Sequence, residues 1–147
     1  MNTISFSTRL AATAIALAAT LAAGNAAAQR PLDLDGTTWT LQANRTTAQL
    51  VINTQGGAGA PGAAVCQHID ANLNTTPDIK ATGWYCPATG RIHLVHRNLE
   101  SKIAVRVFTG NVSDAVVGQP LFMAGTMTVL ISAFGDLGEY NFSAVKQ

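Results

Sequence analysis

From residue 37 onward, apolar and polar residues alternate at period two, and each alternating run stops at a cluster of Gly, Pro, Asn or Asp. Such alternation puts one set of side chains on each side of an extended chain, the mark of a half-buried strand. It predicts eight strands: Thr37–Asn44, Thr47–Thr54, Ala63–Ala71, Ile79–Cys86, Arg91–Arg97, Lys102–Gly110, Leu121–Ser132 and Gly138–Lys146. No run carries apolar residues at helical spacing. The connections NTTPD (74–78), PATG (87–90) and NLES (98–101) are short and turn-like, so consecutive strands pair as antiparallel hairpins. Eight strands in an up-and-down meander can close into a β-barrel, which leaves no open sheet edge; a two-sheet β-sandwich is the alternative.

Residues 1–28 break this pattern. Arg9 precedes the apolar run LAATAIALAATLAAG, and Ala26-Ala27-Ala28 follows it, the layout of a cleaved secretory signal peptide. The run is too Ala-rich and too short for a membrane span, and no second apolar segment follows. One domain is therefore expected over residues 29–147, periplasmic or secreted, and the Ala-heavy leader has a bacterial character. The whole chain has 9 Lys and Arg against 8 Asp and Glu, and loss of Arg9 brings the two into balance. A neutral domain has no general attraction to nucleic acid or to an anionic membrane, since both draw their affinity from excess positive charge.

In an exported chain, Cys66 and Cys86, the 2 cysteines, are expected to be oxidised to each other. Each lies ten residues from Thr76, the centre of the NTTPD turn. They then face each other across the third and fourth strands at about 4.5–5.5 Å, within reach of a disulfide. The same register sets His68 opposite Trp84, and the PATG turn sets Trp84 opposite His93. Two histidine strands separated by a tryptophan strand lie roughly 9–10 Å apart, and His93 and His96 point to opposite faces. The histidines thus offer no metal site, and no C-x-x-C redox motif, P-loop or other cofactor motif occurs. Across NLES the expected pairs are Arg97 with Lys102, His93 with Arg106 and Leu94 with Val105.

These registers sort the two faces. The inner face reads Val65, Ile69, Tyr85, Ile92, Leu94, Ile103, Val105 and Val107, with Met123, Gly125, Met127, Val129 and Ile131 as a second wall joined by Tyr140 and Phe142. Gln67 beside Tyr85, together with His96 and Trp39, supplies the polar groups that a ligand cavity in the barrel would use. The outer face gathers Arg91, His93, Arg97, Lys102 and Arg106, a candidate docking site for an anionic macromolecule. The Gly-rich stretch Gly56–Ala63 is expected to be a connector.

LDGTTWTLQAN (Leu34–Asn44) resembles the first strand of avidin-like and lipocalin-like barrels, with the Gly36-to-Trp39 spacing one residue longer. That resemblance implies a barrel; biotin binding is not carried over, because the chain has only 2 tryptophans. More broadly YCPATGRIH, VFTGNVS, MAGT and GEYNF resemble a group of small exported bacterial proteins, and this resemblance supplies no activity. No nucleophile, base and carboxylate are visibly placed together, so the expectation is a binding protein that performs no chemistry. It would take a small ligand in the barrel or an anionic partner on the basic face. Inhibition of an exported protease, through Gln29–Leu34 or Gly56–Ala63, is the alternative.

Overall fold

The computed structural model describes residues 29–56, 66–73 and 80–147. The expected leader, most of the Gly-rich connector with Val65, and the NTTPD turn lie outside these residues. Eight strands, β1 (Thr38–Ala43), β2 (Thr46–Gly56), β3 (Gln67–Leu73), β4 (Lys80–Cys86), β5 (Arg91–Arg97), β6 (Ala104–Val112), β7 (Phe122–Val129) and β8 (Gly138–Lys146), pair in sequence order. β8 returns to β1 and closes the barrel. Every pairing is antiparallel.

Local chemistry explains the tightest connections. β1 and β2 join through Asn44 and Arg45, both at positive φ (44° and 62°), which gives the hairpin the handedness that matches strand twist. In the β4–β5 connection the amide of Gly90, at φ 72°, donates to the Cys86 carbonyl at 2.8 Å and closes the PATG turn. Cys66, immediately before β3, is disulfide-bonded to Cys86, with the Cα atoms 4.0 Å apart. The mirror about Thr76 therefore holds, with Gln67 facing Tyr85 and His68 facing Trp84, and across the PATG turn Trp84 faces His93.

The expected β5–β6 register does not hold. His96, not His93, faces Arg106, and Leu94 faces Phe108 in place of Val105. The physical reason is a longer connection and a bulge. Asn98 accepts the Glu100 and Ser101 amides on its side chain, the Lys102 amide donates to the Asn98 carbonyl at 2.9 Å, and Lys102 takes φ 58°. The register then shifts again between His96 and Arg97, leaving Val105 as the extra residue. As a result Ile103 is 56% exposed, Val107 turns outward opposite Val95, and Phe108 enters the core.

The interior is packed along its length by Trp39, Leu41, Leu50, Ile52, Ile69, Leu73, Tyr85, Ile92, Leu94, Phe108, Met123, Met127 and Phe142. Phe108 and Phe142 meet edge to face, with centroids 5.5 Å apart. The gap left among Leu41, Leu94, Phe108, Met123 and Phe142 has a volume of about 10 Å³. That is about the room of one water, whereas ligand sites span roughly 300–1,000 Å³.

Candidate functional site

Three of the four residues expected to line a cavity, Trp39, Gln67 and Tyr85, lie at one end of the barrel, and the chain's own segment Gln29–Thr37 occupies the space over them. The Tyr85 hydroxyl donates to the Pro31 carbonyl at 2.7 Å. Gln55 donates to the Leu32 carbonyl at 2.9 Å, accepts the Leu34 amide at 2.7 Å, and donates also to Gln67 Oε1. The Trp39 indole donates to Thr37 Oγ1 at 2.8 Å, and Leu34, within the segment, is fully buried. Outside, Arg30 pairs with Asp114 at 3.3 Å and Gln29 bridges to Ala115. Burial pushes the Tyr85 phenol up to about 12, with Arg30 opposing the shift and Asp114 adding to it.

His96, the fourth, lies toward the opposite end. It is fully buried between Ala81 and Arg106, and burial, reinforced by the Arg106 charge, lowers its pKa to about 4. Arg106 was expected outside; the shifted register turns it inward, between His96 and Val129, where burial also lowers its own pKa. The expected basic face is therefore rebuilt without it.

Four of the expected members remain on the outside. Arg91 and Arg97 are exposed at the two ends of β5, with His93 half-buried between them. Lys102 is exposed in the β5–β6 connection, where its carbonyl accepts the Arg97 guanidinium at 3.3 Å. Lys80, which sequence reasoning did not include, is exposed directly opposite Arg97 on β4. Its signal was present in the β4–β5 mirror, which sets 80 against 97. Two cations facing each other across a ladder repel, so the pairing costs stability unless an anion or water lies between them.

Between the cations the surface is aromatic. Trp84 and His93 stack with centroids 5.5 Å apart at 20°, and the Arg91 guanidinium carbon lies 6.0 Å from the Trp84 ring. His93 Nδ1 lies 3.2 Å from Thr109 Oγ1. On the far side of Trp84, His68 is tied to Asp70 at 3.2 Å. β4, β5, β6 and β7 contain no Asp or Glu, so the acids of the described residues stand on other strands and in connections. Among the described residues no three His, Cys, Asp or Glu side chains gather as a metal site would require. No family model, no curated protein and no solved structure matches the chain.

Proposed function

We propose that this barrel is an exported binding protein, without chemistry of its own, that holds an anionic partner on the outer face of β4 and β5. One observation carries the reading: Lys80, Arg91 and Arg97 project from two adjacent strands that contain no carboxylate, beside Lys102. In a chain whose charges nearly balance, such segregation creates a local positive field that overall neutrality would not suggest. The filled interior supports an outer site over an inner one, since the gap of about 10 Å³ is far below the volume of a small-molecule pocket. The Cys66–Cys86 disulfide supports an oxidising compartment.

Protease inhibition draws less support. The terminal segment Gln29–Leu34 is engaged with Tyr85, Gln55 and Asp114 of its own barrel, and most of the Gly56–Ala63 connector lies outside the described residues.

The test is retention on a dextran sulfate matrix as salt is raised. The wild-type protein should elute later than the Arg91→Ala/Arg97→Ala variant, and the difference should shrink with salt because the charges are exposed. Equal elution of the two proteins would remove the proposal.

A further inference from the structure

We infer that the strip over β4, β5 and β6 takes an acidic polysaccharide, a polymer of carboxylated sugar rings lying along β5 with rings against Trp84 and acid groups at Arg91 and Arg97. The inference rests on the anionic-partner reading above and names the chemistry of that partner.

Four features select it. Arg91 and Arg97 are six residues apart on one extended strand, so their Cα atoms lie roughly 20 Å apart, and both are met at once only by an elongated anion. Between them lies a planar aromatic pair, Trp84 on His93, instead of further charge. A purely electrostatic partner would have no use for an indole on the outer face. A sugar ring does, because its C–H face is apolar while its rim is hydroxylated. The rim has partners beside the stack in the exposed Thr109 hydroxyl and the exposed Asn111 amide, on the strand next to His93 and Arg91. Finally, the barrel is closed, with every strand paired on both sides, so an extended acidic peptide has no free edge to join and would lose the backbone hydrogen bonds that usually hold it.

Tryptophan emission reads the site directly. Trp39 is fully buried and Trp84 is partly exposed on the strip, so a dissolved quencher such as acrylamide reports chiefly Trp84. Polygalacturonate should shield Trp84 from quenching, and neutral dextran should not. In affinity electrophoresis through polygalacturonate, Trp84→Ala should weaken retention roughly tenfold, as loss of a central aromatic anchor does, while Trp84→Phe should keep most of it. Arg91→Ala/Arg97→Ala should weaken it by a comparable factor. The assignment is overturned if polygalacturonate leaves quenching unchanged, if Trp84→Ala is retained like wild type, or if polyglutamate or phosphatidylglycerol vesicles shield Trp84 equally well. Should the arginine variants lose retention on dextran sulfate while polygalacturonate fails to shield Trp84, the anion reading stands and the sugar assignment falls. Should neither effect occur, both fall.

Discussion

His96 makes folding sensitive to mild acid. The imidazole is fully excluded from solvent, with Ala81 on one side and Arg106 on the other. Burial first, and the Arg106 charge second, lower its pKa from 6.5 to about 4. In the unfolded chain the ring takes up its proton near pH 6.5, whereas in the barrel it stays neutral until pH falls to about 4. Across that window the unfolded state binds a proton that the folded state refuses, so stability falls as pH falls. At about 1.36 kcal/mol per pH unit, this group removes on the order of 3 kcal/mol by the lower end of the window and nothing more below it. Against a typical domain stability of about 5–15 kcal/mol that loss is easily measured. The assay is urea unfolding of wild type and of His96→Gln at a series of pH values from neutral down to about 4. Glutamine removes the titration while keeping a polar side chain. The wild type should lose stability more steeply than the variant, and the difference between the curves should change only within the window. Parallel curves would refute the reasoning, as would an NMR titration placing His96 at its ordinary 6.5.

Replacing both Cys66 and Cys86 by Ser should lower the unfolding free energy by about 3 kcal/mol, the cost of freeing a loop of their 20-residue separation, as read by denaturant titration under non-reducing conditions. Tyr85→Phe leaves the Pro31 carbonyl without its phenol donor and should cost about 1–2 kcal/mol, accompanied by faster amide exchange in the segment Pro31–Thr37. The same phenol, raised to about 12, makes stability fall as pH climbs above 10, because the unfolded chain ionises first; Tyr85→Phe should flatten that alkaline limb. Gly110→Ala should destabilise by at least about 1–3 kcal/mol in thermal unfolding, since a Cβ there would collide with the Ala124 carbonyl oxygen and meet the Phe142 ring at 2.9 Å.

The parts of the fold legible in the sequence are those fixed by local geometry. β5 and β8 have the boundaries that alternation predicts, and the disulfide register follows from distance to a single turn. The β5–β6 register was not legible, because two local exceptions decide it: Lys102 adopts a positive φ that a lysine seldom takes, and Val105 adds one residue to β6 without interrupting its apolar pattern. That slip misplaces Arg106, which reads as one more surface charge until the shifted ladder turns it toward His96. Gln67 and Tyr85 were recognisable as polar groups on an inner face. Their partners were not, since Pro31 lies 54 residues from Tyr85 in the chain and nothing short-range links them. Lys80 is legible from the same β4–β5 mirror, which sets it against Arg97 on the outer face.

The strict in-and-out order of β4 and β5 separates two jobs that many proteins must reconcile in the same residues. Ala81, Tyr85, Ile92 and Leu94 answer to the interior, while Lys80, Trp84, Arg91, His93 and Arg97 project to the other side of the same backbone. Selection or engineering can therefore rewrite the outer side chains of this wall, one alternate position at a time, while the hydrophobic half of each strand stays as it is.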